Sequence, residues 1–178
     1  MSGPALYDGL WHRLIHQGAL EEARMVVGVA ADLQIAQDTA PLQALAEMAL
    51  EHWKGRTLVH AASEEEDLYP ALAEAVGQNA VAALREEHAQ LRRLVEQLEQ
   101  SLVAGRYGEI SQCLTALLGA TEEHNAHEEA VLQQMPPQWP ALLQARAAAT
   151  NDASGACVEG EGASPLIQVR RPDPGQDG

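Results

Sequence analysis

Apolar residues recur at three- and four-residue spacing along most of the chain, which is the pattern of helices that bury one face. In the best example, apolar residues and one histidine share a face: Leu84, His88, Leu91, Val95, Leu98 and Leu102. The spacing predicts four long helices, over about 5–37, 41–69, 79–103 and 109–135. Strand-like alternation is absent. Short connections between long helices indicate an all-α, up-down-up-down four-helix bundle.

Helix boundaries are predicted from proline and glycine. Pro41 suits a first helical turn, whereas Pro70 is expected to end or bend the second helix. Residues 71–76 then form a short extra turn, and Gly105 and Gly108 bracket the turn between the third and fourth helices.

The first helix and the C-terminal segment have weaker patterns. Leu10, Leu14, Ala23 and Ala30 are among the apolar residues expected on the packed face of the first helix. Residues 141–149 are compatible with a short terminal helix. Glycine and proline are frequent from residue 151 onward, which favours disorder. We therefore expect a bundle domain over 1–149 and a flexible tail over 150–178.

Composition narrows the fold and the partners. Hydrophobic residues make up 46% of the chain and phenylalanine is absent, so alanine and leucine must fill the core. The formal net charge of −15 argues against nucleic acid and anionic membranes as partners, since both attract basic surfaces. No segment is long and apolar enough to span a membrane, and a cytoplasmic protein is expected. Cys113 is assigned to the core, and Cys157 lies in the Gly-rich tail.

Two similar motifs carry the candidate chemistry. His60 is followed four residues later by Glu64, and His124 is followed four residues later by Glu128. Residues four apart lie on one face of a helix, so each motif directs an imidazole and a carboxylate to the same point. Two such helices facing each other would form a shared two-metal site.

Position along the helices selects two further histidines. His88 and His124 lie at nearly equal distances from the turn that joins their helices, and His60 and His88 match across the preceding connection. On the first helix, His16 matches better than His12, which is retained as an alternative. The candidate metal ligands are one histidine per helix and two glutamates: His16, His60, Glu64, His88, His124 and Glu128.

The type of ligand indicates the metal. Mixed imidazole and bridging carboxylate suits iron or manganese, whereas structural zinc usually recruits thiolate. The chain contains neither the His-Glu-x-x-His motif of zinc proteases nor the Glu-x-x-His motif of ferritin-type di-iron proteins.

Several neighbouring residues are assigned smaller roles. Glu65 and Glu129 are expected beside the ligand face, where they would orient ligands. His127 is assigned to an outer shell or the surface, and a fifth histidine ligand, if there is one, would be His12 or His127. Tyr69 is placed opposite His60 on its helix, which argues against a tyrosine ligand. His52 and Trp53 are assigned to the periphery and to the core, respectively.

Residues 5–136 resemble the hemerythrin-like, HHE cation-binding family. The resemblance rests on His16, on His60-x-x-x-Glu64-Glu65 with Leu68-Tyr69-Pro70, on Glu87-His88, and on His124-x-x-x-Glu128-Glu129 with Leu132. It implies a four-helix bundle that holds two iron ions. His16, His60, His88 and His124 would be terminal ligands, and Glu64 and Glu128 would bridge the irons.

The resemblance also indicates a function. Oxygen-carrying hemerythrins have a second histidine four residues after the one on the third helix, where this chain has Arg92. Three hypotheses follow: a di-iron protein that binds or senses O2 or NO, a stress protein that repairs iron centres or converts NO or peroxide, and a metal-free helical scaffold. The first is favoured.

Overall fold

The computed structural model describes residues 9–141, and these residues form an all-α fold without a strand. The helices are α1 (Gly9–Ile35), α2 (Thr39–His52), α3 (Leu58–Ser63), α4 (Tyr69–Val76), α5 (Gln78–Val103) and α6 (Tyr107–Leu132). The predicted all-α class is confirmed. Within the same residues, no helix has the length and apolar character needed to cross a membrane. The predicted tail, Cys157 and all but the first residue of the predicted helix at 141–149 lie outside the described range.

The second predicted helix is longer than expected and is not stopped by proline. Two π-helical segments, Trp53–Thr57 and Glu64–Leu68, join α2, α3 and α4 into one helical rod from Thr39 to Val76. Pro70 lies in the first turn of α4, directly after the second π segment. Of the two predicted effects of Pro70, ending the helix is therefore wrong, and bending it stays a prediction. A proline is tolerated near the start of a helical segment because the preceding turn has already left the regular hydrogen-bond pattern.

The connections between the long helical segments are short and contain residues with positive φ. Gly105 has a φ of 65° and ends α5. Its N–H donates to the Leu102 carbonyl at 3.0 Å, and Arg106 N–H donates to the Ser101 carbonyl at 2.9 Å. This pair of bonds is a Schellman motif, which satisfies the last carbonyls of the helix. The predicted turn at this glycine is confirmed.

Helices α1 and α6 run in opposite chain directions where they contact each other. Arg24 of α1 pairs with Glu122 of α6, while further along α1 the Gln34 side chain donates to the Gly108 carbonyl near the start of α6. The helix pair α5 and α6 meets near its turn through a hydrogen bond from Ser101 to Glu109. The rods therefore lie side by side along their lengths.

Two apolar clusters fill the interior, and a polar layer lies between them. One cluster is built around Leu72, Leu84 and Trp139. The other contains Trp53 together with the closely packed small residues Ala23, Ala30, Ala46 and Ala49. Trp53 thus belongs to the core, as predicted. The buried histidines and glutamates of the polar layer therefore have packed apolar side chains on both sides.

The apolar face of α1 was predicted incorrectly at its N-terminal end. Leu10 and Leu14 are exposed, whereas His12 and His16 are buried. The buried face of α1 continues through Ala23 and Ala30. Hydrophobic spacing misplaced this face because imidazoles, rather than leucines, turn inward here.

Candidate metal centre

A π-helical turn presents the first glutamate of the site. The Tyr69 N–H donates to the Glu64 carbonyl five residues earlier, which defines the wider turn over Glu64–Leu68. Such turns are rare and occur often at functional sites. The Glu64 side chain is 1% exposed. A carboxylate placed so deeply needs a cation or several hydrogen-bond donors nearby, since burial of a bare charge is costly.

Glu64 uses its two oxygens in two directions. Its Oε1 lies 2.8 Å from His60 Nε2, 3.4 Å from His12 Nε2 and 3.7 Å from His16 Nε2. Its Oε2 lies 3.3 Å from His88 Nε2. One carboxylate thus faces a group of three histidines with one oxygen and a different histidine with the other.

Glu128 approaches the same centre from α6. Its Oε2 lies 2.7 Å from His12 Nε2 and 3.5 Å from His16 Nε2. The side chain is fully buried, and its Oε1 has no hydrogen-bond partner. The two predicted glutamates therefore enter one site from different rods.

The four predicted histidines are brought together with these glutamates. His88 Nε2 and His124 Nε2 are 3.0 Å apart. Candidate donor atoms fall into two groups, within each of which all atoms lie within 4.8 Å of one another: His12, His16, His60 and Glu64, and then Glu64, His88 and His124. Glu64 belongs to both groups.

His12 also lies in the site, although the comparison of distances from the turns selected His16. It is 1% exposed, and its ring lies 4.3 Å from that of His16, centroid to centroid. The four-residue spacing of the two histidines, which places them on one face of α1, was the signal that could have identified it. The sequence analysis kept His12 as a replacement for His16 or as a fifth histidine, and the structure buries both residues.

Tyr69 also faces the site, contrary to its predicted position. Its hydroxyl donates to His88 Nε2 at 3.2 Å, and its ring stacks on the His88 ring with centroids 5.3 Å apart. The prediction assumed a regular helix between His60 and Tyr69. The π turn adds a residue to one turn, and this rotates every later side chain by about 100°, the angle per residue of a helix with 3.6 residues per turn.

Two partly buried carboxylates contact the outer nitrogens of the histidines on α5 and α6. His88 Nδ1 donates to Glu65 Oε1 at 2.8 Å, and Arg92 donates to the same oxygen at 2.8 Å. His124 Nδ1 donates to Glu87 Oε2 at 3.0 Å. His127, which was assigned to an outer shell or the surface, donates to Glu87 Oε1 at 2.6 Å.

The outer carboxylates were only partly foreseen. Glu65 has the predicted orienting position, while Glu129 instead lies 3.6 Å from the exposed Arg13. Glu87 was given no role, because nothing in helical spacing shows which acid of α5 reaches across to α6. His52 lies 3.2 Å from Glu22, away from the centre, as predicted.

The electrostatics of the centre keep its carboxylate charged. Burial alone would raise the pKa of Glu64, but the nearby imidazoles of His16, His60 and His88 outweigh it and hold the pKa well below its usual range. For His88, burial lowers the pKa, but the neighbouring carboxylates of Glu64 and Glu65 outweigh it and leave the pKa raised. For His124, burial dominates and the pKa is lowered.

Several buried atoms at the centre have no hydrogen-bond partner, which tests whether a metal fits. His60 Nε2, Glu64 Oε1 and Glu128 Oε1 are all inaccessible to solvent and unpartnered, although the first two are close together. Their mutual geometry is therefore not that of a hydrogen bond. Moreover, His88 and His124 each use Nδ1 as a donor to a carboxylate, so their Nε2 lone pairs face each other. Such an arrangement needs a cation or a proton between the nitrogens, and a metal ion would supply that charge.

Residues 13–136 match the family described as the hemerythrin HHE cation binding domain. The chain belongs to this family. The match covers well over half of the HHE protein and includes the two His-x-x-x-Glu motifs, but it begins one residue after His12. Comparisons with curated proteins and with solved structures found no match.

The HHE protein uses Arg92 differently from the oxygen carriers that it resembles. At the position where those proteins have a second histidine on the third helix, Arg92 points to Glu65 and not to the centre. A fifth histidine of the cluster, His12, lies on α1 beside His16. The described part of the HHE protein thus brings five histidines and Glu64 into two overlapping groups that could hold a metal, and Glu128 contacts His12 and His16 beside them.

Proposed function

We propose that this HHE protein holds a non-haem di-iron centre that binds or senses O2 or NO. The proposed ligands are the six predicted residues and His12: His12, His16, His60, Glu64, His88, His124 and Glu128. The observation that carries the proposal is the two-sided position of Glu64, with one oxygen toward three histidines and the other toward His88. A carboxylate in this position suits a bridge between two metals.

The donor set supports iron over zinc. Imidazole and carboxylate are the ligands of non-haem iron, and manganese is the second candidate. Five nitrogens and two carboxylates offer fewer donor atoms than two six-coordinate metals require, so a small exogenous ligand has room to bind. When bound, the iron would supply the electrons and the open coordination positions for such a ligand.

A pocket of about 260 Å³ supports access of a small molecule to the centre. Its lining includes His12, which is buried and contacts Glu128, and also Arg13, Leu132, Met135 and Trp139. The pocket connects the surface at the end of the bundle with a ligand histidine. A gas needs no larger route, whereas most of the centre is enclosed by packed side chains.

The proposal extends to the topology of the bundle, the bounds of the domain and the location of the protein. We infer an up-down-up-down arrangement, supported by the opposed directions of α1 and α6 where they contact each other. We further propose that the bundle domain extends over 1–149 with a flexible tail at 150–178, in a cytoplasmic protein without nucleic-acid or membrane partners. The negative net charge supports the last point.

A second candidate function is enzymatic, namely the reduction of NO or peroxide or the repair of iron centres. The favouring observation is the buried Tyr69 hydroxyl, 3.2 Å from His88 Nε2. Burial, followed by the charges of Glu128 and Glu64, raises the pKa of Tyr69, so the phenol keeps its proton and remains a donor. A positioned proton donor is what reduction of a bound oxygen or nitrogen species requires.

The deciding experiment measures iron in aerobically purified protein, together with its absorption spectrum before and after O2 or NO is added to the reduced form. About two irons per chain and a spectral change with either gas would support the proposal. Full helicity without iron or manganese would overturn it and favour the scaffold. The scaffold hypothesis also predicts normal folding of the His60→Ala, His124→Ala double variant with no change in metal content.

A further inference from the structure

The histidines of the centre differ in what their outer nitrogens contact. His88 and His124 each donate from Nδ1 to a carboxylate, Glu65 and Glu87 respectively. The Nδ1 atoms of His12 and His16 are buried and have no hydrogen-bond partner. The contrast separates His12 and His16, of the first group of candidate donor atoms, from His88 and His124, of the second group, and the two groups share only Glu64.

A carboxylate behind a metal-bound imidazole has two effects. It fixes the tautomer, so that Nε2 is the ligating nitrogen, and it increases the electron donation of that nitrogen. Both effects strengthen metal binding and favour the more highly charged metal. An imidazole without such a partner gains neither.

Both outer carboxylates are themselves held in place. Arg92 donates to the Glu65 oxygen that accepts from His88. His127 anchors the second oxygen of Glu87 at 2.6 Å, leaving the first for His124. Arg92 therefore has a positional role at the residue where the oxygen carriers place a ligand.

We propose that Glu65 and Glu87 are positioning residues for only one of two inequivalent metal positions. They orient His88 and His124, and the metal bound by these two histidines is oxidised first. The metal at His12, His16 and His60 does not depend on them. This inference rests on the proposed di-iron function.

The test uses a Glu65→Gln, Glu87→Gln double variant loaded with iron and then exposed to a graded concentration of chelator. Loss of such outer partners weakens metal binding by about 10–100-fold. We expect one iron to leave at a chelator concentration that wild type resists. Anomalous X-ray scattering should locate the retained iron among His12, His16 and His60. The midpoint potential of the first oxidation step should also rise.

The matched control is the Glu66→Gln, Glu86→Gln double variant, which changes the exposed neighbours of the same two residues. It should retain both irons like wild type. Three outcomes for the test variant would overturn this inference but not the proposed function. Both irons could leave together, both could be retained, or the retained iron could be the one at His88 and His124. Wild-type protein that binds no metal would instead overturn the proposed function.

Discussion

His88 and His124 face each other across the centre with their Nε2 atoms 3.0 Å apart. Their Nδ1 atoms both donate outward to carboxylates, so two nitrogen lone pairs meet at one point in a buried layer. Without a cation, the two nitrogens can stay this close only if one of the two rings carries a proton on its Nε2 and donates it to the other. The pair therefore links the stability of the fold to the occupation of the site.

Removal of metal should destabilise the protein. A ligand that binds only the native state adds about 2.7 kcal/mol at a free concentration one hundred times its dissociation constant. Thermal unfolding with and without a strong chelator should show a clear drop in the transition temperature after chelation. The His60→Ala, His124→Ala double variant serves as the control, because its transition should not respond to chelator. An identical response in both proteins would contradict the prediction.

Glu64→Gln should lose both metals. The substitution keeps the size of the side chain but removes the charge that faces both groups of histidines. Metal analysis after purification should give far less than one iron per chain. Glu66 lies in the same π segment and is exposed, so Glu66→Gln should keep wild-type iron content. Wild-type iron content in Glu64→Gln would show that this glutamate is not a bridge.

His12→Ala and His16→Ala should have similar effects on metal content. Both histidines lie on the same side of the centre, and each lies within 3.7 Å of the same Glu64 oxygen. Each variant should lose metal chiefly from that side, while His52→Ala, which alters a histidine paired with Glu22, should lose none. Iron analysis of the three variants measures this. If only His16→Ala loses metal, His12 is an outer residue and the six-residue set is complete.

Tyr69→Phe separates gas binding from catalysis. The substitution removes the hydroxyl near His88 but leaves the ring that stacks on it, so iron content should be unchanged. A general acid contributes roughly 10²–10⁴-fold to a rate. An enzymatic role in reducing NO or peroxide therefore predicts a loss of turnover of at least about 10²-fold. Unchanged turnover in a fully loaded variant would rule out Tyr69 as the proton donor.

Met135→Trp should slow the entry of small ligands. Met135 is a half-buried residue of the pocket beside His12, and an indole would occupy much of that space. Stopped-flow mixing of the reduced protein with NO should show slower association at unchanged iron content. Met25→Trp, on an exposed surface of α1 away from the centre, is the control and should associate like wild type. Equal rates in both variants would place the route elsewhere.

The His-Glu motifs could be predicted because they depend on local geometry alone. A regular helix puts residues four apart on one face, so the sequence paired His60 with Glu64 and His124 with Glu128. The distances of His60, His88 and His124 from the connecting turns then placed His88 at the same height in the bundle as the other two histidines. These arguments need only the rise per residue and the position of a turn, and the family match covers the same motifs.

What the sequence by itself determined is therefore the all-α fold, the family and the residues that share a helix face. Only the tertiary structure decided that His12 enters beside His16, that Tyr69 turns inward, and that Glu87 reaches His124. Two physical reasons account for these cases. A π turn changes the rotation of every residue beyond it, and the contact between two helices depends on their separation and relative rotation, neither of which is encoded in the periodicity of one helix.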